Sequence, residues 1–112
     1  MSPPDLVDLE AFFECEAILA DPAVGWRNNA LTFETERNGY RIWCELRPVF
    51  ATLSVVLSAG DLEVARADLG AFTSLEIISE GARELLVARF GDTDTASLWL
   101  TLRPQASLRL VA

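Results

Sequence analysis

Apolar and polar residues alternate along most of the chain after residue 30, and turn signals interrupt the alternation about every ten residues. The signals are Asn38-Gly39, Gly60-Asp61, Gly70, Glu80-Gly81 and Gly91-Asp92. Short alternating segments between such turns are typical of an antiparallel sandwich or barrel. After the first hairpin, the pattern predicts strands at 51–58, 62–68, 73–79, 84–90, 96–102 and 106–111. One shared face is expected to hold Leu75, Ile77, Leu85 and Val87.

The first hairpin can be checked against its own register. Asn38-Gly39 is the favoured two-residue type I′ turn, which pairs Arg37 with Tyr40. The pairs that follow on one face are mostly apolar: Thr35–Ile42, Phe33–Cys44 and Leu31–Leu46. Those on the other face are mostly polar: Glu36–Arg41, Glu34–Trp43 and Thr32–Glu45. Because a slip of one residue would mix the two faces, this agreement predicts the hairpin and its register together.

The N-terminal segment 5–20 satisfies two periodicities at once. Ala, Glu and Leu favour a helix, and a helical stripe runs through Leu6, Leu9, Phe13, Ala17 and Ala20. The odd-numbered positions from Val7 to Leu19 are also all apolar, which is the alternation of a strand. We favour a helix over 5–20, with a strand as the alternative, and Asp21-Pro22 ends the element in either case.

These elements predict a single domain over residues 1–112. Its class is α+β and mostly β, with a helix at 5–20 followed by antiparallel strands over 30–111. The strands number about 6–8 and form either an antiparallel sheet or sandwich, or a partly open barrel. A chain of this length can bury a core without disulfides or metal.

The composition excludes much of enzyme chemistry. The chain has no histidine, and its nine basic residues are all arginine. Catalytic triads, imidazole general bases, histidine-ligated zinc, Schiff-base lysines and P-loop lysines are therefore excluded. Cys15 and Cys44 stand apart without a Cys-x-x-Cys motif, which predicts buried, reduced thiols. We expect no cofactor and no metal, and we interpret the chain as a non-enzyme.

Two carboxylate pairs are weak candidates for a site. Asp92 and Asp94 form an Asp-x-Asp, but a Ca²⁺ or Mg²⁺ site needs more oxygen ligands, so a hairpin loop is the favoured interpretation. Glu34 and Glu36 share a strand face and could form an acid/base pair, yet exposed carboxylates of this kind are common on strands.

Negative charge is concentrated at the start of the chain. The 17 acidic residues outnumber the nine arginines for a net charge of −8, and residues 1–36 hold eight acids against the single base Arg27. Such charge disfavours nucleic acid and anionic membranes as partners. A docking surface for a basic protein is expected on the acids of the N-terminal segment: Asp5, Asp8, Glu10, Glu14, Glu16 and Asp21. The alternative is a solvated face that keeps the protein in solution.

Trp43 and Trp99 are the aromatic candidates for partner binding. Both are predicted to project from the polar faces of their strands. Tryptophan is enriched at interface hot spots, so either ring could anchor a partner. The alternative is that a neighbouring element covers both rings.

These features together favour a small acidic protein-binding module of the cytoplasm: an inhibitor, a scaffold or an immunity-like protein that docks a basic protein. The comparison with bacterial immunity proteins is one of class, because no residue motif ties the chain to such a family. The alternatives are a barrel-like carrier of a small ligand, or a structural subunit that forms a homo-oligomer. The cytoplasm is expected because the N-terminus lacks a signal-peptide pattern and no apolar run is long enough to span a membrane.

Overall fold

The structure is a computed structural model that describes residues 4–90, 96–103 and 106–111. Within these ranges the chain forms an N-terminal α-helix, nine β-strands and two short 3₁₀ helices. The helix α1 is Leu6–Phe13, and the 3₁₀ helices are Trp26–Asn28 and Pro48–Phe50. The strands are β1 (Ile18–Leu19), β2 (Leu31–Arg37), β3 (Tyr40–Arg47), β4 (Thr52–Ala59), β5 (Leu62–Leu69), β6 (Phe72–Glu80), β7 (Arg83–Phe90), β8 (Ala96–Arg103) and β9 (Ser107–Val111).

The strands form a five-stranded sheet and a four-stranded sheet, and both are antiparallel. The five-stranded sheet has the order β1-β2-β3-β4-β5, and the four-stranded sheet has the order β6-β7-β8-β9. Within each sheet, every strand therefore pairs with its neighbours along the chain, as in a β-meander, and the chain passes from one sheet to the other between β5 and β6. The expected α+β, mostly β class with an N-terminal helix is confirmed, and the two sheets do not close into a barrel.

The first hairpin has the predicted turn and the predicted register. Asn38 and Gly39 have φ angles of 52° and 84°, the left-handed conformations that a type I′ turn requires. Arg37 pairs with Tyr40, and the pairing continues in the expected order to Leu31 and Leu46. The apolar face of this hairpin consequently points into the core, and its polar face points outward.

A common hydrophobic core joins the inward faces of both sheets to one side of α1. Its strand residues include Leu31, Phe33, Ile42, Leu53, Val55, Leu86, Leu98, Leu100 and Leu102. From α1, the side chains of Leu9, Phe12 and Phe13 are each 1% exposed. Full burial of such a side chain stabilises the fold by roughly 1.5–3 kcal/mol. The Phe13 ring stacks on Phe33 with 4.6 Å between ring centroids, which fixes the helix against β2.

The helix predicted over 5–20 is correct in its first half and wrong in its second. Glu14, directly after α1, adopts the left-handed conformation with φ 56°, which ends the helix. The Glu10 carboxylate then accepts a hydrogen bond from the Ala17 backbone N–H at 2.8 Å and stabilises the turned chain. The following residues form β1, which pairs with the start of β2. The strand alternation in this segment was therefore a real signal over its last residues.

The register predicted for the β6–β7 hairpin is wrong by one residue. Leu75 pairs with Ala88 and Ile77 pairs with Leu86, so these inward residues do not share a face with Leu85 and Val87. Four consecutive apolar residues occupy β7, and such a run has no alternation to specify which face is buried. The two-residue turn between β6 and β7 decides the register instead, and it places Leu85 and Val87 on the outward face.

The start of α1 is held by a capping box that a single substitution should break. Asp5 accepts a hydrogen bond from the Asp8 N–H at 3.1 Å, and Asp8 accepts one from the Asp5 N–H at 3.2 Å. We expect Asp5→Ala to lower the free energy of unfolding by about 1 kcal/mol, because the first turn loses its side-chain acceptor. Urea denaturation measures this loss. Asp5→Ser keeps an acceptor and should stay close to the wild type, and an unchanged midpoint in the alanine variant would contradict the expectation.

Candidate partner-binding surface

Most of the early acids that were expected to meet a partner also hold local structure. Two of them form the capping box of α1. Glu10 binds the Ala17 backbone, as described above. The Glu14 carboxylate accepts a hydrogen bond from Arg37 Nη2 at 2.5 Å, and the same nitrogen donates to the Phe13 carbonyl at 3.3 Å. This pair ties the end of α1 to the end of β2, while the Glu14 side chain remains about half exposed.

Glu16 and Asp21 are both exposed, and Asp21 is held by hydrogen bonds within its loop. Asp21 Oδ1 accepts a hydrogen bond from the Ala23 N–H at 3.0 Å in the loop that precedes β2. The Asn29 side chain, whose residue is buried, accepts from the Asp21 N–H and donates to the carbonyls of Asp21 and Val24. This amide fixes the loop and thereby fixes the direction in which the chain enters β2.

A row of carboxylates lies where the segment after α1 runs beside β2. The backbone of Glu34 makes a hydrogen bond with the Cys15 thiol, which places the two segments side by side. Arg37 Nη1 donates to the Glu36 carbonyl at 2.6 Å while Nη2 holds Glu14. These two adjoining segments hold four exposed glutamates, and we call them the acidic edge: Glu14, Glu16, Glu34 and Glu36.

Trp43 lies next to the acidic edge on the outward face of the five-stranded sheet. It stands directly opposite Glu34 in the β2–β3 pairing, and its ring is partly buried. Arg41 stands opposite Glu36, and a shallow depression is lined by Glu34, Thr35, Glu36 and Arg41. The structure therefore brings Trp43 together with the carboxylates of β2.

Trp99 belongs to a different surface. It lies on the outward face of the four-stranded sheet and is partly buried. Its indole N–H donates to Ser97 Oγ at 2.6 Å, and the Arg109 guanidinium lies 5.2 Å from the ring centroid. Because the two sheets turn their outward faces away from the shared core, Trp99 and Trp43 do not form one site.

Two surface features were not predicted from the sequence. Glu34 and Glu36 were expected at most to form an acid/base pair, although both lie on the polar face of the first hairpin, beside the candidate partner-binding acids. A cavity of about 370 Å³ was also missed. It lies between α1, the 3₁₀ helices and β6, and its apolar wall includes Leu9, Trp26, Leu46, Phe72 and Leu75. Val49 also lines the cavity, and the neighbouring Phe50 is 68% exposed.

The part of the chain that the structure describes has no metal site of three or more converging histidine, cysteine, aspartate or glutamate side chains. The described ranges also lack a helix with the length and hydrophobicity of a membrane span. The Asp-x-Asp sequence within 91–94 lies outside the described residues.

The two thiols differ in burial, and this difference predicts how stability depends on pH. Burial raises the pKa of the Cys15 thiol, and it raises the pKa of the fully buried Cys44 thiol far above its ordinary range. An unfolded cysteine ionises near pH 8.5, whereas folded Cys44 stays protonated, so the unfolded state releases a proton that the folded state retains. The stability that the buried Cys44 thiol contributes is therefore fully present below about pH 8.5, and it falls progressively as the pH rises above this value.

We expect Cys44 to lower the free energy of unfolding by about 1.4 kcal/mol per pH unit from about pH 9 upward, because its thiolate forms only on unfolding. Urea denaturation at a series of pH values measures this slope. Cys44→Ala starts from a lower stability because it leaves a small cavity, but its slope over the same pH range should be clearly shallower. Equal slopes in the two proteins would show that Cys44 is not the cause.

Comparison with known proteins places the fold. No protein-family model matches the sequence, and no curated protein matches it significantly. Among solved structures, the chain is similar to a chain of a contact-dependent growth inhibition toxin–immunity protein complex from Klebsiella pneumoniae 342, with a TM-score of 0.82 and 14% sequence identity. The match covers 97% of this chain and 94% of that chain. At this identity the likeness concerns the fold, while the site must be argued from this chain's own residues.

Proposed function

We propose that the chain is an immunity-like protein that binds a basic toxin domain and neutralises it without catalysis. The observation that carries the proposal is the full-length similarity in fold to a chain from a toxin–immunity protein complex. The absence of histidine and lysine supports the inhibitory role over the toxic role, because the chain lacks the imidazole and amine groups that most hydrolytic toxins would use as acid or base.

The acidic edge with Trp43 is the surface that we assign to the partner. Its exposed carboxylates attract a basic protein and orient it before contact, which raises the association rate. Trp43 supplies an aromatic anchor beside these charges, as interface hot spots often do. Arg37 holds the Glu14 carboxylate, so this part of the surface is preorganised and loses little entropy on binding.

The alternative of a barrel-like ligand carrier has less support. A carrier of that kind encloses an open cavity between its strands. Between the described strands of this chain, the space is filled by fully buried side chains such as Phe33, Val55 and Leu100. This filled interior therefore favours the protein-binding role over the role of a ligand carrier.

Co-expression tests the proposed function. The chain would be expressed together with a toxic domain encoded beside its own gene, and growth would be compared with cells that express the toxic domain alone. We expect growth to be restored, and we expect the two proteins to elute together in size-exclusion chromatography. Continued growth arrest with the chain present at high level, together with separate elution, would refute the proposal.

A further inference from the structure

A small depression lies on the outward face of the four-stranded sheet, away from the acidic edge. It has a volume of about 130 Å³, and three neighbouring strands, β7, β8 and β9, supply its walls. The lining residues are Arg83, Leu85, Trp99, Thr101, Ser107 and Arg109. All the charged residues in this lining are basic, in a protein whose net charge is −8.

The floor of the depression is rigid and carries two hydroxyl groups. Leu85 is 2% exposed, so the floor rests on a buried side chain. Thr101 and Ser107 stand directly opposite each other in the β8–β9 pairing, which brings both hydroxyls to the same level. Trp99 forms a wall, and its hydrogen bond to Ser97 at 2.6 Å holds the ring in place.

The two arginines on the rim retain most of their capacity to bind an anion. Arg109 stacks over the Trp99 ring, and no acidic partner is found for it within the described ranges. Arg83 is paired with Glu80, but the Nη2–Oε2 distance is 3.4 Å and both side chains are more than half exposed. An exposed pair of this kind contributes little, so an anion that reaches both guanidinium groups can displace the Glu80 carboxylate.

We propose that this depression is a binding site for a small oxyanion, carboxylate or phosphate. Two guanidinium groups donate charge-assisted hydrogen bonds to the oxygens of such an anion, and their planar forks match its geometry. The Thr101 and Ser107 hydroxyls donate to the remaining oxygens. The inference rests on the four-stranded sheet alone, and it holds whether or not the acidic edge binds a toxin.

Nuclear magnetic resonance titration with inorganic phosphate and, separately, with acetate tests the proposal. The signal to follow is the Trp99 indole N–H, identified by its loss in Trp99→Phe, at constant ionic strength so that general screening does not change. We expect saturable shifts with at least one of the two anions, and the stronger of the two tells whether phosphoryl or carboxylate groups are preferred. In the double variant Arg83→Gln with Arg109→Gln, affinity should fall at least about tenfold, because hydrogen bonds to charged groups are lost.

Arg66→Gln is the matched control. Arg66 lies on the outward face of the five-stranded sheet, is about half exposed and is also paired with nearby carboxylates. Its replacement should leave the anion affinity unchanged. The absence of a saturable shift with both anions, or equal affinity in the wild type and the double variant, would overturn the proposal.

Discussion

Replacing Glu34 and Glu36 together by arginine is expected to slow association with a basic partner at least tenfold at low salt, since electrostatic steering raises association rates by about 10–10³-fold. Both residues are exposed on the acidic edge, and neither side chain contributes to the core. The fold should therefore persist while the charge of the surface is inverted. Stopped-flow kinetics over a series of salt concentrations measures the effect, which should shrink as salt screens the charges.

A double variant with the same change in net charge separates a specific surface from general charge. Asp61→Arg with Glu80→Arg alters two exposed positions beside hairpin turns that lie outside the acidic edge. We expect this variant to slow association far less than the first. Equal slowing in both would mean that only the net charge matters, and no slowing in either would remove the acidic edge as the docking surface.

Phe33→Ala is expected to lower the free energy of unfolding by about 3–5 kcal/mol, a large part of the 5–15 kcal/mol typical of a small domain. Phe33 is 0% exposed and stacks on Phe13, so its loss leaves a cavity and removes the support of α1. Thermal and urea denaturation measure the change. Phe50→Ala is the control, because its side chain is 68% exposed and the change should remain within about 0.5 kcal/mol. A loss of less than about 1 kcal/mol in Phe33→Ala would contradict the assigned core.

How well the sequence predicted each hairpin depended on how clearly its two faces differ. In the first hairpin, Phe33 and Cys44 alternate with Glu34 and Trp43, and the Asn38-Gly39 turn independently sets the same register. In β7, apolar residues occupy both faces, so the alternation carried no information and the turn alone was decisive. The error over Leu85 arose there because a buried outward face was not expected.

In the N-terminal segment, the sequence patterns could not show where the helix ends. Both a helical stripe and a strand alternation run through residues 5–20, for which a helix was favoured, and the chain forms a helix first and a short strand afterwards. The switch occurs at Glu14, whose left-handed backbone has no strong sequence signal because the residue is neither glycine nor asparagine. Two interactions stabilise the switch: Arg37 binds Glu14, 23 residues away, and the Ala17 N–H binds Glu10, seven residues away. Both separations exceed the three or four residues over which helix contacts act. Local propensity could not have predicted them.

The partner-binding role of the early acids stays a prediction. Their number in the sequence did not show that Asp5 and Asp8 bind each other's backbone. Glu34 and Glu36 of β2 belong to the acidic edge because the chain after α1 runs beside β2. This path depends on tertiary contacts that local sequence patterns do not show. Trp43 and Trp99 were both predicted on the polar faces of their strands, yet they lie in different sheets, and only the strand pairing shows this.

Because the strands within each sheet pair in the order in which they follow one another along the chain, each sheet can assemble from a continuous stretch of polypeptide. The five-stranded sheet is complete at residue 69, and the four-stranded sheet begins at residue 72. Short loops close at small entropic cost, so hairpins can form early and recruit the next strand one at a time. During synthesis the first sheet can therefore pair its strands before the ribosome has released the second, which shortens the time in which unpaired strand edges are open to aggregation.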